Sequence, residues 1–202
     1  MSAVRLSTTS YVVLGMLALR GPSTSYDLKR AIGHSVGYFW SFPHAQLYSE
    51  PQRLAELGLL ELSLEEDGRR RKTFTITEKG RHALRQWLAE PTNEHFEIRD
   101  VAELKLFFSE AGDPGNVLEL AREQVKQHEE RIAVYEATQR RFGQRPEVAP
   151  RMVSLQLGLE MERAALRFWT ALSDELNSDA DPALPAEYLQ ALVGRLNRPN
   201  GG

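Results

Sequence analysis

Cysteine does not occur in this 202-residue sequence. No disulfide framework, thiolate nucleophile or Cys-ligated metal site is therefore available, and the absence fits a reducing, cytoplasmic compartment. Long apolar runs are missing as well. No stretch approaches the roughly 20 residues a helix needs to cross a bilayer. Residues 11–19 are apolar but short, without the basic flank or small-residue cleavage pattern of a secretory signal. Signatures of catalysis are scarce: no glycine-rich phosphate loop, no nucleophile elbow and no His/Asp/Ser set stands out. No histidine has a second one at i+4, and His128, beside Glu129 and Glu130, lacks the helical pair that a metal needs. The expectation is a protein that is not an enzyme and holds neither a cofactor nor a metal.

What the chain does have is charge placed unevenly. The net charge is −3. Residues 1–90 carry 12 Lys and Arg against 9 Asp and Glu, whereas residues 91–202 carry 13 against 19. Opposite signs in the two halves suggest a basic working module, 1–90, followed by an acidic second module, 91–202. The positive charge of the first module is concentrated in four consecutive cations, Arg69, Arg70, Arg71 and Lys72.

Those cations sit in an informative setting. Thr8 or Thr9 is expected to cap a first, buried helix, and Gly15 in its middle suggests a closely packed neighbour. Gly21-Pro22 breaks the chain, and Ser23, Thr24 or Ser25 caps a second helix with Leu28 and Ile32 inward and Lys29 and Arg30 outward. A third helix is expected from near Ser41 or Phe42, kinked at Pro51 and stopped by Gly58 in a left-handed conformation. Leu60, Leu62 and Leu64 then alternate with polar residues, as do Phe74 and Ile76, around the turn at Asp67-Gly68. Thr77 caps a fourth helix with Ala83, Leu84, Trp87 and Leu88 inward. Helices followed by a hairpin with a cationic tip are the pattern of a winged helix-turn-helix, three to four helices plus a two-stranded wing, which lays one helix in a DNA groove and the wing on the backbone.

Beyond residue 90 the pattern is all helix. Asp100 caps a short helix with a stripe of Val101, Leu104, Phe107 and Phe108. A long helix reaches about Phe142. Another runs from about Arg151 to Leu176 with two apolar seams, one along Val153, Leu157, Met161, Ala164, Phe168 and Leu172, the other along Leu155, Leu159, Leu166 and Trp169. A helix apolar on two sides is buried on two sides. A last amphipathic helix is expected at 186–196. The fold class is mostly α.

Within the first module the candidate DNA contacts follow from side-chain chemistry. Gln46 can pair with adenine N6 and N7, and Tyr48 can reach a phosphate or a thymine methyl. Ser41 and His44 lie on the same expected helix. Lys29 suits a phosphate, as do Arg69, Arg70, Arg71 and Lys72, whose alternation along a strand sends Arg69 and Arg71 one way and Arg70 and Lys72 the other.

Taken in order, Leu14-Gly15, Gly21-Pro22, Tyr26-x-Leu28, Trp40, Gln46-Leu47-Tyr48, Arg53-Leu54, Leu57-Gly58-Leu59, Arg71-Lys72-x-Phe74-x-Ile76-Thr77 and Gly80 resemble the PadR family of bacterial transcriptional regulators. The helical second half is similar to the longer, AphA-like subgroup. The resemblance implies a homodimeric DNA-binding regulator of the repressor type, paired through an antiparallel C-terminal helical arm on a pseudo-palindromic operator. It also implies openness to a small-molecule effector, with Phe168 and Trp169 as candidate ligand contacts. The chain departs from the family in having Ser25 where Gly is common, Pro51 inside the third helix, and Phe74 where a DNA-reaching Tyr hydroxyl is usual. The alternative reading is a winged helix that binds protein and never touches DNA.

Overall fold

The structure is a computed structural model that describes residues 5–40, 45–64, 71–113, 115–178 and 193–194. The chain divides into two compact units, Met1–His95 and Phe96–Gly202.

In the first unit, α1 (Thr8–Arg20) is followed by β1 (Ser23–Thr24), α2 (Ser25–Gly33), α3 (Gln46–Glu56), β2 (Leu60–Leu64), β3 (Lys72–Ile76) and α4 (Glu78–Ala89). The cap of α1 is Ser7, not Thr8 or Thr9. Its hydroxyl accepts from the Ser10 amide while the Ser10 hydroxyl accepts from the Ser7 amide, a reciprocal box. With four hydroxyl residues in a row, pattern alone does not choose among them. Thr24 caps α2 through the same device with Asp27. Thr77 caps α4. Gly58 ends α3 at φ +70°, a conformation that favours glycine.

The core joins all of these elements. Val13, Leu14 and Leu17 of α1 meet Leu28 and Ile32 of α2, Leu47 and Leu54 of α3, and Leu60, Phe74 and Ile76 of the sheet. Phe74 is fully buried, so a hydroxyl added at this position would meet core and not DNA. Tyr11 of α1 stacks on Trp87 of α4, with centroids 4.7 Å apart and planes 7° from parallel. Two expectations are corrected. Leu88 is exposed rather than inward, because α4 reaches past the core at its end. Nothing lies within 4 Å of a Cβ built on Gly15, so no close neighbour explains that glycine.

The two expected wing strands, β2 and β3, pair, and a third short strand joins them in the order β1-β3-β2, all antiparallel. The extra strand is short: Ser23 pairs with Phe74 and Thr24 with Thr73. Thr24 must be extended to cap α2, and that same extended backbone is what docks on β3. The hairpin leaves the core gradually, with Leu60 buried, Leu62 half-buried and Leu64 exposed.

The second unit contains α5 (Val101–Phe107), α6 (Asn116–Phe142) and α7 (Ala149–Ser178). Asp100 caps α5 by accepting from the Ala102 amide. The expected single helix after Asp100 ends at Phe107 and continues as a short 3-10 turn, Ser109–Ala111. Contacts between α6 and α7 pair Arg122 with Asn177, His128 with Glu162 and Gln139 with Gln156, so one number falls as the other rises and the helices run antiparallel. His128 Nδ1 lies 2.6 Å from Glu162 Oε2, which makes this histidine a link between helices. Ala102, Val117, Ala121, Trp169 and Leu172 form the core.

Among the described residues α7 is buried on one side only. Leu159, Trp169 and Leu172 are buried, but Val153, Leu157 and Met161 are 73%, 65% and 43% exposed. Val101, Leu104 and Phe107 of α5 and Phe108 just after it also face solvent. The last expected helix, 186–196, lies outside the described residues apart from 193–194.

Candidate nucleic-acid interface

Helix α3 turns Leu47, Pro51 and Leu54 into the core and leaves Gln46, Tyr48 and Ser49 on the surface. The helix starts at Gln46, later than the sequence pattern suggests, and Ser41 and His44 lie outside the described residues. It also runs through Pro51 as one element to Glu56. The proline ring is among the fully buried side chains, so it fills core space in the helix that carries it. Pro51 therefore does not end α3.

Tyr48 is 49% exposed and does not pack between helices. The Lys29 ammonium of α2 lies 5.7 Å from the centre of its ring, a cation–π separation. Two candidate contacts, one from each helix of the helix-turn-helix, therefore share one surface. Arg30 of α2 is exposed as well.

On the wing, Arg71 and Lys72 are both exposed. Arg69 and Arg70 lie outside the described residues. Lys72 has the parity of Phe74 and Ile76 and is opposite Leu64, so its stem continues the apolar face of the hairpin beyond the core. Arg71 has the opposite parity, that of Thr73 and Thr75. Because Thr73 pairs with Thr24, the cap of α2, the base of the wing is tied by backbone bonds to the start of the helix-turn-helix.

A polar network, whose link to Ser10 motif reading passed over, holds α3 against α1. Ser10 is fully buried, and its hydroxyl donates to Glu50 Oε1 at 2.5 Å. Arg53 donates to both Glu50 oxygens, at 2.6 and 2.9 Å, and to Ser10 Oγ at 3.0 Å. Burial pushes the Glu50 carboxyl up, but the hydrogen bonds from Arg53 and Ser10 and the charge of Arg53 outweigh it, leaving the group below the ordinary carboxylate value. Hydrogen bonding to Glu50 holds the Arg53 guanidinium above its ordinary value. Arg53 is thereby committed to structure. At the rim, Thr9 Oγ1 donates to Gln46 Oε1 at 3.1 Å. The sequence leaves Arg53 open to a phosphate or to pairing with Glu50 or Glu56, and the structure pairs it with Glu50; the hydroxyl run at 7–10 reads equally well as a helix cap.

In the second unit, Phe168 and Trp169 meet edge to face at 5.2 Å. Trp169 is buried in the α5–α6–α7 core and Phe168 is half-buried beside it.

Three helices, an outward-facing third helix and a basic hairpin pinned to the second define a winged helix-turn-helix protein. Residues 13–86 match the transcriptional regulator PadR-like family, and residues 98–177 match the virulence activator alpha C-terminal family. The first unit thus carries a PadR-like regulator domain and the second an AphA-like C-terminal domain. It is 25% identical to the negative transcriptional regulator PadR of Bacillus subtilis over 125 residues, 61% of this chain and 68% of that one. The crystal structure of Bacillus subtilis PadR in complex with operator DNA superposes with a TM-score of 0.74 at 20% identity, covering 83% of this chain and 98% of the other. The same regulator has been solved in complex with p-coumaric acid, with a TM-score of 0.68 at 19% identity over 85% and 99% of the two chains. The Vibrio cholerae virulence activator AphA superposes with a TM-score of 0.64 at 27% identity, covering 85% and 99%.

Proposed function

We propose that this chain regulates transcription as a homodimer that binds a two-fold operator in duplex DNA, as a repressor whose grip an effector relieves. The observation that carries the reading is the surface on which Gln46, Tyr48 and Ser49 of α3 stand exposed with Lys29 of α2 over Tyr48. Gln46 reads base edges, while Tyr48, Lys29, Arg71 and Lys72 hold phosphates. Ser41, His44, Arg69 and Arg70 complete the set by their place in the sequence. Residues 1–90 bind DNA, and residues 91–202 pair the two copies. The chain acts by binding rather than by catalysis, in the cytoplasm; among the described residues no helix is long and apolar enough to cross a membrane.

A second copy suits the second unit because Val153, Leu157 and Met161 lie at i, i+4 and i+8 on α7 and are exposed among the described residues. An aromatic effector would meet Phe168, which keeps an exposed edge, and have the buried Trp169 behind it.

A salt titration of binding to the DNA upstream of the chain's own gene tests the function. Site-preferring binding that persists toward physiological salt supports it. Binding seen only at low salt and without preference would instead fit a winged helix whose partner is protein.

A further inference from the structure

We infer that Thr9 is a positioning residue for Gln46, which makes the first turn of α1 part of the DNA-reading surface. The inference rests on the reading of α3 as the groove-facing helix.

Three side chains of α3, Gln46, Glu50 and Arg53, follow at i, i+4 and i+7 and so form one stripe. All three bond to adjacent residues of α1: Thr9 to Gln46, and Ser10 to both Glu50 and Arg53. The inner contacts are the anchor, since Ser10 is fully buried and its backbone is fixed by the box with Ser7. Thr9 is the next residue outward, so its hydroxyl is delivered to the edge of the surface where Gln46 begins α3.

What this does to Gln46 is chemical. A glutamine on an exposed helical turn samples several rotamers and both amide orientations. The Thr9 hydroxyl donates to Oε1 at 3.1 Å, which holds the amide end of the side chain in one place. It occupies one of the two lone pairs of that oxygen. The other lone pair remains free to accept from adenine N6, and both Nε2 hydrogens remain free, one to donate to adenine N7. Thr9 thus sets the direction of the reading group without touching the base.

The test measures affinity of the full-length protein for its selected duplex and for every single-base variant of it, comparing wild type with Thr9→Val, Thr9→Ser, Gln46→Ala and the Thr9→Val/Gln46→Ala double variant. Valine keeps the shape and β-branching of threonine and removes the hydroxyl. Thr9→Val should lose about three- to tenfold in discrimination at the base position that Gln46→Ala also relaxes, the effect of one hydrogen bond. Thr9→Ser should retain that discrimination, and the double variant should match Gln46→Ala. Non-specific affinity, salt slope and melting temperature should not move. An unchanged base profile in Thr9→Val, a uniform loss at every position, or an additive double variant overturns the inference. If Gln46→Ala itself alters no base position, the groove-facing reading of α3 fails, and the role of Thr9 falls with it.

Discussion

The fully buried hydroxyl of Ser10 in α1 donates to the Glu50 carboxylate in α3 at 2.5 Å, forty residues along the chain. Arg53 closes the triangle. A helix that is to present side chains to a groove must not roll about its own axis, and in this unit the core leucines leave that rotation to packing alone. The triangle adds directional bonds.

Replacing Glu50 by Ala leaves the Ser10 hydroxyl and the Arg53 guanidinium without their acceptor. Unfolding measurements in denaturant should show a loss of about 1–3 kcal/mol. The pH dependence has a definite sign. The folded carboxyl lies below its ordinary value of 4.5, so its contribution is fully present above that value and is lost as pH falls below it, through the lowered folded value. The stability gap between wild type and Glu50→Gln should be constant from about pH 5 upward and shrink in acid. A gap that widens as pH falls contradicts the network.

Two glycines should respond to alanine in opposite ways. A Cβ on Gly80 would sit 2.2 Å from the Leu59 carbonyl oxygen, where backbone has to move. Gly80→Ala should cost about 2–4 kcal/mol. Gly15 lies in α1 with open space around it, so Gly15→Ala should stabilise by about 0.5–1 kcal/mol. Thermal melts of the two variants check both signs.

Neutralising Arg71 and Lys72 together should weaken binding to all duplexes alike. Each lost phosphate contact should flatten the salt dependence by about 0.9 in the log–log slope. Lys29→Ala should do the same by one such step. A change confined to particular base positions would show that these cations read sequence instead.

Leu157 is 65% exposed on α7. Leu157→Glu should convert a dimer to monomers in analytical ultracentrifugation, with helical content by circular dichroism unchanged. A persistent dimer would move the pairing surface elsewhere.

Much of this was legible from local chemistry. Thr77 and Asp100 cap helices in the structure, Thr24 is the cap among the three candidates for α2, Gly58 takes the left-handed stop, and the alternation through Leu60 and Phe74 is a hairpin. These features depend on a few neighbouring residues. What was not legible depends on residues far apart. Strand β1 is only two residues long and exists because the extended cap Thr24 meets β3. Pro51 reads locally as a helix defect, whereas its ring is core filling. The bond from Thr9 to Gln46 joins residues that no motif connects. The seam of Val153 and Leu157 shows on α7, but the sequence does not say whether its partner is the same chain or another.

Selection of bound duplexes from a random pool, using the full-length protein near physiological salt, tests the central claim most directly. The account predicts enrichment of two inverted half-sites with centres about 34–36 Å apart or a multiple of that distance, the repeat of the DNA helix. A bound pool no different in sequence from the input would contradict it.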